Sequence, residues 1–363
     1  MKCPAYQFLC ACLRGDHNPV RGKMNWESVL RTATDERLLP LLYSRVKQLV
    51  LAPTIPADIV EFLSAVEALN RERNVVILNE VKSAARLLNE VGIEPVLLKG
   101  VGYLTLGIYS DPATRFLEDV DLLVSEAQLH TAVGVLIRNG FEHDTTDQFG
   151  FFRHHHPPMR RPGSVFIEIH HSLCLGKSGS LLPPSEMIAH SLPVDLDGVR
   201  VRVPCPDDLF THLVMHSQIL HPYNERIWPP LRAMYDLDLV LRRFRDVIDW
   251  NRIERRFRKA GKFGVLLLHL LQVNESLGVV APVQFQMDGL MRLRWYRRRL
   301  LRKIPALRYV DPIYMFSATL IRRMRVLHNM LGKPNGLMHL VKQLLTAAVY
   351  RRFATDVMEG RGR

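Results

Sequence analysis

Arg115-Phe-Leu-Glu-Asp-Val-Asp-Leu-Leu-Val124 sets two aspartates, Asp119 and Asp121, either side of one apolar residue and ahead of an apolar run. Side chains alternate along a strand, so residues two apart share a face. The two carboxylates would lie side by side, ~6–7 Å apart. Like charges repel, and a buried strand tolerates such a pair only with something positive between them. A divalent metal answers that need, and Mg²⁺ in particular takes one or two carboxylates plus substrate phosphates. The stretch therefore points to phosphoryl or nucleotidyl transfer.

Upstream, Ile93 to Leu98 is a short apolar run ending at Lys99-Gly100, as a buried strand would. Val101, Leu104 and Ile108 then resume helical spacing. Lys99-Gly100 thus sits where a strand turns into a helix, a position whose free N–H groups and dipole suit a phosphate. Gly100 lets backbone approach that phosphate, and Lys99 adds a point charge. Arg115 could pair bidentately with a phosphate or neutralise the carboxylates themselves.

Downstream, Ser125 and Gln128 stand in capping-box positions for a helix ending near Asn139-Gly140. Phe149–His155 and Val165–His170 read as two strands around a Pro/Arg turn. In the second, Phe166, Glu168 and His170 share one face, opposite Val165, Ile167 and Ile169. Set beside the Asp119 strand, Glu168 would complete an acidic triad; on an edge strand its face would meet water. His170 could orient that carboxylate or contact phosphate.

The flanks read as helical. Residues 25 to 90 carry apolar stripes from Trp26, Val29 and Leu30 onward, broken by prolines between Ala52 and Pro56. Asn70–Asn89 reads as one long helix that Gly92 would stop. From Pro206 onward the chain is again amphipathic and helical. The fold expected is α+β: a small mixed-sheet core over 91–205, a helical region over 1–90, and a helical basic region over 206–363.

The 363 residues carry a net charge of +13, concentrated late, as in Tyr296-Arg-Arg-Arg-Leu-Leu-Arg-Lys303. This favours polyanionic partners: nucleotides, nucleic acid or an anionic membrane face. Five cysteines without zinc-site spacing argue for reduced thiols. No segment reaches the ~18–20 apolar residues that span a bilayer, so a cytoplasmic protein is expected, with peripheral membrane contact left open. His154-His-His156 could suggest metal binding, but three consecutive side chains on a strand cannot all face one ion. His212 and His216, four apart, lack the adjacent glutamate of zinc proteases. Arg232 and Asp236 have the spacing of an intrahelical pair.

Leu98-Lys-Gly100, Tyr109, Arg115 and Asp119-Val-Asp-Leu-Leu-Val124 resemble the uncharacterised nucleotidyltransferase family of the DNA polymerase β superfamily. Asn25-Trp26-Glu27, Glu168-Ile-His170, Pro206-Asp-Asp208 and Leu231-Arg-Ala-Met-Tyr-Asp236 resemble its flanks, so the likeness covers most of 25–280. It implies a polymerase β-like core binding a nucleoside triphosphate, ATP first, with Mg²⁺. Asp119 and Asp121 would bind the metals, with Glu168 holding the one that activates the attacking hydroxyl. Lys99 and Gly100 would hold the triphosphate. Lys-Gly stands where the superfamily has Gly-Ser, and glutamate where it usually has aspartate.

Three functions follow. The first is Mg²⁺-dependent transfer of a nucleoside monophosphate from an NTP to a hydroxyl acceptor, with pyrophosphate released. The second is a non-catalytic nucleotide-binding or interaction module, whose basic C-terminal helices meet an acidic partner or an anionic membrane. The third is nucleic-acid binding, which would weaken steeply with salt.

Overall fold

The computed structural model describes residues 3–19, 23–143, 154–174, 176–220, 227–281, 287, 289–304 and 306–307. The chain divides into two compact units, Met1–Arg292 and Leu293–Arg363. The first holds the whole described sheet.

The N-terminal region is helical, as the stripes require. Helix α1 spans Cys3–Arg14, α2 Trp26–Asp35, α3 Leu39–Gln48 and α4 Ala57–Glu90. Asn25 caps α2 by accepting from the Ser28 amide at 2.9 Å. The apolar segments at 59–69 and 70–89 are one continuous helix, because nothing between them breaks it. Gly92 ends α4 in a left-handed conformation (φ +75°), as its position predicted. The short apolar run at Phe8 lies in α1, where Phe8, Leu9, Cys12 and Leu13 are buried.

The core follows: β1 (Val96–Leu97), α5 (Lys99–Thr105), β2 (Val120–Leu123), α6 (Leu129–Arg138), β3 (Glu142–His143), β4 (Met159–Arg160) and β5 (Ile167–His170). The Ser125–Gln128 capping box forms, and α6 ends just before Asn139. Of the strand expected at 149–155, residues 149–153 lie outside the described residues. His154 and His155 are not in a regular strand, and His155 makes an isolated antiparallel bridge to His170.

Next come α7 (Pro184–His190) and a hairpin of β6 (Leu192–Asp195) and β7 (Arg200–Val203). Then follow α8 (Pro206–Met215), α9 (Leu231–Phe244), α10 (Trp250–Lys259), α11 (Phe263–Leu277) and α12 (Gly289–Lys303). Among the described residues no helix is long and apolar enough to cross a membrane.

The seven strands form one mixed sheet in the order β3-β4-β5-β2-β1-β7-β6. Pairs β2–β5 and β1–β7 are parallel, and the others are antiparallel. One face buries Leu97, Val120, Leu122, Ile167 and Ile169 against Ile77, Val81 and Leu88 of α4 and Leu136 of α6. Val96, Leu98 and Leu123 join a second cluster that includes residues of α1, α3, α8, α9 and α11. Alternation sends Asp121 to that second side. A slip of one residue in β2 would drive its carboxylate into the apolar layer, so the two-sided burial fixes the register.

Candidate active site

Strand β5 lies beside β2 in parallel, with Asp121 opposite Glu168 and Leu123 opposite His170. Donor atoms of Asp121, Glu168 and His170 all lie within 4.8 Å of one another. His170 Nε2 is 2.8 Å from Asp121 Oδ1 and 3.4 Å from Glu168 Oε2. Asp119 sits one residue before β2, half-buried, outside that compact set.

Lys99 opens α5 directly after β1 and reaches Asp121 Oδ1 with Nζ at 2.6 Å. Its backbone is left-handed, φ +48°, which costs a non-glycine residue about 1–3 kcal/mol. The turn is tight because the helix presses on its own strand. A Cβ at Gly102 would lie 2.5 Å from the Leu97 carbonyl oxygen, and one at Gly100 2.6 Å from Leu117 Cδ2. Gly100 thus provides room for Leu117, whatever else approaches its backbone. Gly102 was not singled out in the sequence, where it reads only as a glycine inside a helical pattern.

The charges at the centre settle one another. Burial would raise the Asp121 carboxyl, but Lys99 and the hydrogen bond from His170 outweigh it and hold the group well below the carboxylate range. Burial would lower Lys99, yet Asp121 and Asp119 keep it above its ordinary value. Asp119 differs: burial and the charge of Asp121 push it up to about 6 despite Lys99. The acidic cluster is therefore under-compensated at Asp119.

Imidazoles surround the carboxylates. The rings of His154 and His155 lie 5.2 and 5.1 Å from that of His170. His155 Nδ1 lies 2.8 Å from the His156 carbonyl oxygen, and only N–H can face a carbonyl, so this nitrogen donates. Its Nε2 then faces Glu168 Oε2 at 3.8 Å. Burial lowers His154 and His212 to about 3, so both are neutral. Two consecutive histidines reach one site because this segment is irregular, which the strand-based reading of His154 to His156 did not allow. Nothing local in the sequence marks the approach of His212, which depends on how α8 packs.

Arg115 is bound elsewhere. Its Nη2 is 3.0 Å from Asp236 Oδ2, its Nη1 donates to the Phe116 carbonyl at 2.7 Å, and Tyr109 Oη also donates to Asp236. It thus neutralises Asp236 rather than Asp119 or Asp121. The intrahelical pairing expected between Arg232 and Asp236 does not form. Buried Asp236 takes Arg115, and Arg232 turns to Glu118 at 3.2 Å. Asn74 on α4 holds the Arg115 segment by donating to the carbonyls of Pro112 and Arg115 at 2.7 and 2.8 Å.

A second group of possible metal donors, Glu186, His190 and Asp208, is already filled by cations. Arg256 Nη1 lies 2.6 Å from Asp208 Oδ1, and Arg252 Nη2 lies 2.9 Å from Glu186 Oε1. Part of the basic character of α10 is therefore spent joining α7, α8 and α10.

Sheet order and strand register thus bring Asp121 and Glu168 together beside the β1–α5 turn. Residues 22–278 match the profile of the uncharacterised nucleotidyltransferases, and the chain belongs to that family. No curated protein matches it. The crystal structure of an antigenic nucleotidyltransferase-like protein from Paracoccidioides brasiliensis aligns at 16% identity, over 58% of this chain and 94% of its own, with a TM-score of 0.36.

Proposed function

We propose that the chain transfers a nucleoside monophosphate from a nucleoside triphosphate to a hydroxyl acceptor, releasing pyrophosphate. The observation that carries this reading is the register of β2 and β5, which sets Asp121 directly opposite Glu168. The donor set fits a divalent cation: two carboxylates and an imidazole converge, and Asp119 beside them is crowded by negative charge. Asp119, Asp121 and Glu168 would hold Mg²⁺. When bound, the cation would supply Lewis-acid polarisation of the reacting phosphate.

The protein's own work is positioning. Lys99 lies within reach of Asp121 and carries a firmly protonated ammonium, so it is the residue assigned to the triphosphate. Gly100 beside it, with no side chain, would let the backbone approach a phosphate. Arg115 serves by holding the segment that precedes Asp119 through its pair with Asp236. The acceptor oxygen attacks the α-phosphorus in line as the bond to the pyrophosphate oxygen breaks. Both events need orientation and charge compensation more than covalent help.

The test is label transfer with Mg²⁺ and fractionated cell metabolites as acceptors. Label from an α-phosphate-labelled NTP should enter product, and label from the γ-phosphate should leave as pyrophosphate. Transfer of the γ-label would refute the reaction type. One observation favours the second reading, a non-catalytic nucleotide-binding module. Lys99 already neutralises Asp121, as a cation would. Nucleotide binding without turnover across the acceptor panel would select that reading.

A further inference from the structure

We propose that His170 Nε2 is a direct ligand of the cation at the Asp121–Glu168 pair, and that the resulting mixed site selects a transition-metal dication such as Mn²⁺ over Mg²⁺. This rests on the metal reading above and goes beyond it by adding a nitrogen donor.

The first argument is spacing. An octahedral ion with ligands at about 2.1 Å sets neighbouring donors about √2 times farther apart, or ~3 Å. His170 Nε2 lies 2.8 Å from Asp121 Oδ1 and 3.4 Å from Glu168 Oε2, values on either side of that edge. The three donors come from two hydrogen-bonded strands, with Asp121 facing Glu168 and His170 two residues further along β5 on the same face.

The second argument is the ring's confinement. His170 is 1% exposed, and the rings of His154 and His155 pack against it. Its Nδ1 has no hydrogen-bond partner among the described residues, so the ring acts through Nε2, the nitrogen aimed at both carboxylates.

The third argument is donor chemistry. Mg²⁺ takes oxygen ligands and holds its waters, whereas imidazole suits the later divalent metals. A site of two carboxylate oxygens and one buried imidazole therefore ranks Mn²⁺, and metals beyond it, ahead of Mg²⁺. The competing role for His170 is hydrogen bonding alone, with Nε2–H donating to Asp121.

Electron spin-echo spectroscopy of Mn²⁺ bound to the full chain separates these roles. Direct ligation gives a strong ¹⁴N coupling that switches to ¹⁵N when the protein carries ¹⁵N-histidine. His170→Gln keeps an N–H donor near Asp121 but removes the imidazole. It should abolish the coupling and weaken Mn²⁺ binding by about tenfold or more, the scale of a lost metal-site interaction, with Mg²⁺ affinity changed far less. His155→Gln should retain the coupling. Bound Mn²⁺ without histidine coupling, coupling that survives His170→Gln, or an unchanged Mn²⁺/Mg²⁺ preference would overturn the inference and leave the metal reading standing. Absence of Mn²⁺ and Mg²⁺ binding by the folded wild type would overturn both. Should His170→Gln fail to fold, isotope switching in the wild type decides: no switch means no imidazole ligand.

Discussion

Asp236→Ala should be among the most damaging single substitutions in the sheet-bearing unit. Asp236 and Arg115 form an ion pair at 3.0 Å with side chains 8% and 9% exposed, and Tyr109 donates to the same carboxylate. Asp236 offsets the burial of the Arg115 guanidinium; a guanidinium is not deprotonated in proteins, so Arg115 stays charged, and uncompensated, when its partner is removed. Leaving one member of a buried pair costs about 3–5 kcal/mol. At about 2–4 °C per kcal/mol for a large domain, the midpoint should fall by about 6–20 °C. Thermal and urea unfolding of wild type and variant measure this directly. The physical cause is the orphaned charge, so removing every polar partner should restore most of the loss. Arg115→Met/Asp236→Leu/Tyr109→Phe should lie much closer to wild type than Asp236→Ala does. A cost below about 1 kcal/mol for Asp236→Ala, the range of an exposed pair, would refute the buried-pair account. So would a triple variant no more stable than the single one.

Gly102→Ala should distort the β1–α5 turn, because its new methyl would meet the Leu97 carbonyl oxygen at 2.5 Å. A loss of about 1–3 kcal/mol is expected for such overpacking, read by chemical denaturation; an unchanged midpoint would contradict the contact. Asn74→Ala removes the shorter donor of each carbonyl, leaving the Arg115 carbonyl to Asn70 and the Pro112 carbonyl to the Arg115 amide, both at 3.3 Å, and should cost about 0.5–1.5 kcal/mol. Amide exchange over residues 112–117 should also speed up, and equal protection in the variant would contradict the anchoring role. Arg71 holds the Asp111 carboxyl below its usual 3.8 through a hydrogen bond. A depressed folded value means that this stabilisation is present above pH 3.8 and is lost as pH falls through the folded value. Asp111→Asn should therefore flatten the acid limb of the stability curve, and an acid limb identical to wild type would remove Asp111 from its causes.

Local signals made much of this readable. The alternation at Asp119-Val-Asp-Leu-Leu defined a buried strand, Gly92 stopped α4, and Ser125 with Gln128 opened the next helix. Each depends on neighbours within a turn or two. The β6–β7 hairpin was missed, although Asp197-Gly198 is a hairpin turn signal. Pro193 and the charged residues that alternate through Arg200–Val203 hid its strands. What no local pattern carries is partnership across the chain. Arg115 could be matched in sequence to phosphate or to the nearby aspartates, but its partner lies 121 residues on. Arg232 and Asp236 satisfy helical spacing and still choose other partners, because burial of Asp236 favours the enclosed guanidinium over one at the surface. The approach of His155 to Glu168 likewise required an irregular segment that strand periodicity could not anticipate.

The central claim is that Asp119, Asp121 and Glu168 make a metal-dependent nucleotide site. Isothermal titration of the folded chain with each of the four NTPs, with Mg²⁺ or Mn²⁺ and then with EDTA, tests it most directly when repeated on Asp119→Ala/Asp121→Ala. The account predicts heat that depends on the divalent ion and disappears in the double variant while the variant stays folded. Metal-independent binding, binding that survives the double substitution, or no binding by the wild type would contradict it.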